Sequence, residues 1–145
     1  MRNLEIEIET IQIGIYSNIV LNLLQTHELL SINKVMLFSY LIKKDKFRWG
    51  KVYTANNSKD VVYKAISLMT GEYAEYCENV GFILKAIHFL HINDKVEINE
   101  SFLKRKEDVE IEKSIYQESA FINKAIEESK KITDRQFMKE VIANV

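Results

Sequence analysis

The residues best equipped for chemistry are few. His88 and His91 stand three apart in a helically spaced segment, a separation at which two imidazoles can reach one metal ion. A third ligand would have to come from His27, Cys77 or a carboxylate, and a pair alone lacks the spacing of a zinc motif. The plainer expectation places His91 at the edge of the core, near the C-terminus of a helix where positive charge is favoured, with no metal bound. Cys77, the sole cysteine, falls between Tyr76 and Val80 on an apolar stripe. It is expected to be buried, with a raised pKa and little thiolate. No phosphate-cradling glycine motif and no Gly-x-Ser-x-Gly elbow occurs. No nucleophile–base pair can be assembled, so the expectation is a non-enzyme without cofactors.

A second group of residues suits contact better than catalysis. Lys43, Lys44, Lys46, Phe47, Arg48, Trp49 and Lys51 interleave cations with aromatic rings. Such a stretch can meet phosphates and stack on bases, or anchor a protein partner through Trp and Arg. It can also be a helix end followed by a solvated loop. Lys104, Arg105 and Lys106 pose the same question after a proposed hairpin. A wing after helices suggests a winged-helix DNA reader. The helix before it carries Glu72, Glu75 and Glu78 against a single Lys85, a surface that repels phosphate. Protein contact fits that wing better.

The elements that must position these residues are mostly helices. There is no proline and only four glycines in 145 residues, which favours long uninterrupted helices. Leu4, Ile6 and Ile8 alternate with Glu5, Glu7 and Glu9, predicting a short half-buried strand or an extended arm ordered by a partner. From Tyr16 the spacing turns helical, through Val20, Leu23, Leu24 and His27. Ser31 is an N-cap, with Leu30 and Val35 as a hydrophobic staple. It opens a helix from Ile32 to about Lys44 with no polar face, the mark of a buried central helix. Residues 45–59 read as loop. Ser58 caps a third helix that carries Val61, Val62, Ala65, Ile66 and Met69 and stops near Gly71. A fourth helix is expected to bury Tyr73, Tyr76, Cys77, Val80, Leu84, Ile87 and His91 as one stripe, flanked by Ile83 and Leu90. Residues 95–106 predict a small hairpin. Glu107 to Lys131 predicts a helix, acidic at its start, basic at its end and buried along Ile111, Ile115, Ile122 and Ile126. Thr133 and Gln136 form a capping box, and Ile132 with Phe137 a staple, for a short terminal helix.

The predicted fold is therefore mainly α: a compact helical domain with a small winged-helix-like β-hairpin and a C-terminal helical tail. Residues 1–106 form the helical core with its hairpin, and residues 107–145 the C-terminal helices, packing on that core or on a partner. The composition, 47% hydrophobic and 28% charged, is too apolar for disorder. A net charge of −1 excludes a globally basic nucleic-acid binder. A single cysteine fits a reducing compartment, and the first residues read as neither a signal nor a transit peptide. A soluble, cytoplasmic protein without membrane attachment is expected.

The order of apolar helices and turns resembles one family. It runs through Leu23 to Leu30, Ser31 to Val35, Ile83 to Leu90 into Asn93 to Ile98, then Asn123 to Ile126 and a terminal Phe137 to Val145. This pattern is similar to the middle component of ABC-three-component systems, the small non-catalytic subunit of Lamassu-type antiviral defence. The resemblance covers nearly the whole chain and carries no catalytic signature. It implies an SMC-like coiled-coil ATPase and a nuclease-type effector as partners, with DNA met only indirectly through the complex. This chain would bridge or regulate them. The alternative is a stand-alone winged-helix DNA-binding transcriptional regulator.

Overall fold

The computed structural model describes residues 2–45 and 58–144. The elements run α1 (Arg2–His27), β1 (Leu29–Ser31), α2 (Ile32–Asp45), α3 (Ser58–Ser67), α4 (Tyr73–Ile92), β2 (Val96–Asn99), β3 (Phe102–Arg105), α5 (Ala120–Ser129) and α6 (Asp134–Ala143). The domain is mainly helical with one small antiparallel sheet, as the sequence predicts.

The central element is α2. Val35, Leu37, Phe38, Ser39, Tyr40, Leu41 and Ile42 are all buried on it, because α1, α4, α5 and α6 surround it. α5 and α6 also pack on α3. Phe38 meets Phe137 of α6 with ring centroids 5.7 Å apart, and Tyr40 meets Tyr76 of α4 edge-on at 5.4 Å. One contiguous core results.

The hairpin is present, and its partner strand was not anticipated. The sheet order is β1-β3-β2, with Leu30 opposite Leu103 and Ile98 also opposite Leu103. A strand after the first helix that pairs with the far strand of a later hairpin is the winged-helix arrangement of a sheet. The wing itself is minimal. Asn99 faces Phe102 across two turn residues, Glu100 and Ser101, and Glu100 takes a left-handed φ of 57° that suits hairpin twist better than it suits a glutamate.

Three expectations are overturned. The N-terminal segment is neither strand nor extended arm: α1 is helical from Arg2. The alternation misled because Leu4, Ile8, Ile11 and Ile15 also stand at four-three-four spacing. Extending a helix already nucleated downstream costs little, and an acidic first turn suits the dipole. The helix predicted from Glu107 begins only at Ala120, where Ser119 caps it by accepting from the Ile122 N–H at 3.1 Å. Ile115 is accordingly 73% exposed instead of buried. On α4 the buried face is Tyr76, Ile83, Ala86, Ile87 and Leu90, rotated from the predicted stripe. Tyr73, Leu84, Cys77 and His91 therefore lie exposed. The flanking Ile83 and Leu90 mark the true centre, because α4 must meet α1 and α2 on adjacent sides.

Candidate functional site

The irregular segment 107–119 lies against the outer side of α1 like a strap. Asn18 and Asn22 both donate to the Glu112 carbonyl, at 2.9 and 2.8 Å, and Asn22 accepts from the Ser114 N–H at 3.5 Å. Ser114 is buried and its hydroxyl accepts from the Tyr116 N–H. The Glu112 carbonyl and the Ser114 amide, which a helix would satisfy internally, are satisfied here by α1 side chains. A cleft of about 380 Å³ between strap, α1 and α2 is lined by Ile19, Leu23, Ile42 and Tyr116 among others.

At the end of the strap a buried histidine fastens it. His27 is 1% exposed. Its Nε2 lies 2.9 Å from both Glu118 oxygens, and its Nδ1 is 2.5 Å from Glu127. Both ring nitrogens face acceptors, so both must donate, which is the imidazolium form. Burial opposes that charge, but hydrogen bonds to Glu118 and Glu127 outweigh it and hold the His27 pKa above its ordinary value. Burial likewise pushes Glu127 up, and His27 and Lys130 together bring it below the usual carboxylate range. Lys130 also donates to the His27 carbonyl at 2.6 Å.

A second knot lies beside it. Lys34 is buried and donates to the Ser129 and Ile132 carbonyls, both at 2.7 Å, where the C-terminus of α5 concentrates partial negative charge. Burial lowers its pKa, and the nearby Asp134 carboxylate opposes that. Asp134, at the start of α6, accepts from Ser31 and from Asn33. A cleft of about 420 Å³ opens here between β1 and the α5–α6 turn. His27, Lys34 and Asp134 in its lining are engaged by the protein itself: histidine by carboxylates, lysine by carbonyls, aspartate by hydroxyl and amide.

Among the described residues, the predicted contact residues fall in two separate places. Lys43 is half-buried, donates to Gln12 and stacks over the Tyr16 ring at 5.0 Å, and burial lowers its pKa. Lys44 pairs with Glu75 at 2.9 Å. Both brace α2 against its neighbours. Lys46, Phe47, Arg48, Trp49 and Lys51 lie outside the described residues. Lys104 is exposed on β3 and Arg105 half-buried opposite Val96. Lys106 pairs with Asp94 at 3.3 Å and Glu97 at 3.4 Å. α2 begins beside the hairpin, where the Ile32 N–H donates to the Ser101 carbonyl, and carries Lys43 about 17 Å away along its axis. His88 and His91 are both exposed on α4. Among the described residues no three His, Cys, Asp or Glu side chains gather to hold a metal.

Among the described residues, one end of the molecule exposes several large apolar side chains. α1 and α4 run antiparallel, fixed by the Glu9–Lys85 ion pair and by Tyr16, whose hydroxyl donates to Asn79 at 2.7 Å. The start of α1 and the end of α4 therefore share one end of the molecule. Leu4, Ile6, Ile8 and Ile11 on α1 and Leu84, Phe89 and Ile92 on α4 are all exposed there, Ile6 by 60% and Ile92 by 64%. Isolated exposed apolar residues need no explanation, but Leu4, Ile8 and Ile11 share one face of α1, with Ile6 on the opposite face, which makes this end a candidate contact surface. Sequence reading missed it because a strand was expected in place of the first helical turns.

No helix among the described residues is long and apolar enough to cross a membrane. No protein-family model, curated protein or solved structure matches the chain.

Proposed function

We propose that this protein is a non-catalytic docking subunit, bridging or regulating an SMC-like ATPase complex of antiviral defence and holding its effector subunit to the coiled-coil ATPase. The single observation that supports docking is the group of exposed large apolar side chains where α1 begins and α4 ends. A side chain such as Phe89 or Ile92 gains about 1.5–3 kcal/mol when fully buried, so a partner covering that end has a driving force. The engagement of His27, Lys34 and Asp134 in internal contacts agrees with a structural use of its ionisable groups. The assignment to a defence complex rests on the resemblance in helix order alone.

Co-expression with the neighbouring genes, followed by affinity purification through this chain, tests the proposal. A stable assembly containing a large coiled-coil ATPase is expected. Purification of this chain alone from such a strain removes the assignment. The transcriptional-regulator reading predicts duplex DNA binding by the isolated protein that weakens steeply with salt. The two-residue wing and the Lys106 ion pairs weigh against it.

A further inference from the structure

The exposed apolar residues of α1 are in a particular register. Leu4, Ile8, Ile11 and Ile15 follow the four-three-four spacing of the d and a positions of a heptad repeat. The side of α1 that meets the core carries Tyr16, Val20, Leu23 and His27 instead, so Leu4, Ile8 and Ile11 of the heptad seam face away from this protein's own core. Leu4, Ile8 and Ile11 are open and Ile15 is half-covered. The next two seam positions are Asn18 and Asn22, and these hold the strap. The open seam thus runs from Leu4 to Ile11, about 11 Å, and ends at Ile15, which packs partly against the core.

Its flanks are acidic. Glu5 and Glu7 occupy the positions that border such a seam on either side, and both are exposed. Glu9 is already paired with Lys85. Between Asn3 and Thr26 the sequence has no Lys, Arg or His at all. Two copies of α1 laid seam to seam would bring carboxylates together with no cation from those residues to separate them, which disfavours self-association.

We infer that the α1 seam takes one amphipathic helix of a different protein, with an apolar heptad stripe bordered by Lys or Arg that pair with Glu5 and Glu7. This rests on the docking reading and specifies the chemistry of its partner.

Fluorescence anisotropy of the full-length protein with two synthetic helices tests it. Both peptides span about three heptads, with Ile and Leu at a and d. One carries Lys at the flanking positions and its twin carries Glu. The Lys peptide is expected to bind, with the Glu twin weaker by about tenfold or more at low salt. The double substitution Ile8→Asp with Ile11→Asp should weaken binding of the Lys peptide by about tenfold or more, with circular dichroism unchanged because both side chains are exposed. Glu5→Lys with Glu7→Lys leaves the apolar seam intact and should reverse the preference between the twins. Equal binding of both peptides, binding by neither, or indifference to the seam substitutions overturns the inference. So does a wild-type dimer in solution that Ile8→Asp with Ile11→Asp dissolves. Capture of a neighbouring ATPase alongside any of those results sinks this seam while leaving the docking function standing. Peptide binding as expected, with no neighbouring subunit captured, sinks the defence-complex assignment alone.

Discussion

His27 titrates in a range that makes its role measurable. Its folded pKa lies above the ordinary 6.5, so its contribution is complete below about 6.5 and is lost as pH rises through the raised value. Glu127 behaves oppositely: held below the ordinary 4.5, it contributes above that value and fails as pH falls through the lowered one. The clamp is therefore strongest between roughly 4.5 and 6.5. Denaturant unfolding of wild type and His27→Gln should show a gap of about 2 kcal/mol at pH 6, shrinking towards pH 9. A gap that stays constant with pH would mean the ring is neutral when folded. Lys34→Ala strands the Ser129 and Ile132 carbonyls and removes the cation near Asp134, and should cost about 3 kcal/mol; a loss under 1 kcal/mol would mean water replaces the ammonium. The caps were legible at this scale. Ser31 accepts from the Lys34 N–H at 3.3 Å, and Thr133 accepts from the Gln136 N–H at 3.2 Å, because a cap is a local bond between residues three apart. The clamp was not legible, since His27 lies 91 residues from Glu118 and 100 from Glu127 and nothing local distinguishes it from another member of an apolar stripe.

At the scale of elements, the strap is where local preference and tertiary packing disagree. Residues 107–119 have charges and apolar spacing that suit a helix, yet the Glu112 carbonyl and the Ser114 amide are taken by Asn18 and Asn22. Asp108 turns the chain at a left-handed φ of 62°, and Ser119 fixes the helix start downstream. Asn18→Ala with Asn22→Ala should leave the strap without its tethers. Tryptic cleavage after the exposed Lys113 is expected to accelerate several-fold while global stability falls by only about 1 kcal/mol. Unchanged cleavage would place the strap's hold in Ile111 and Val109, which pack on the core. The hairpin was readable because Val96 and Ile98 alternate ahead of a turn. β1 was not: three residues between two helices, Leu29–Ser31, are too few to show a period, and only pairing with β3 makes them a strand. On α4, composition located the helix and misplaced its face by about a fifth of a turn. Both sides of the helix carry apolar residues, with Leu84, Phe89 and Ile92 facing outward.

For the whole molecule, the feature to be explained is that the end where α1 begins and α4 finishes stays bare. The chain has enough apolar surface to bury a full core around α2 and still leaves Phe89 and Ile92 in water. A charge of −1 gives no long-range attraction to nucleic acid, whereas the acidic start of α1 favours a basic protein surface. Substituting Phe89→Asp with Ile92→Asp should leave thermal stability within about 0.5 kcal/mol of wild type, since exposed changes of this kind touch no core contact, while reducing recovery of the assembly by more than half. A large loss of stability would mean the end is core after all.

Hydrogen–deuterium exchange on the purified assembly tests the docking claim most directly, comparing the chain free and in complex. Slowed exchange is predicted across residues 4–15 of α1 and 84–92 of α4. A complex that forms while those two segments exchange as fast as in the free protein, with protection appearing elsewhere, would contradict it.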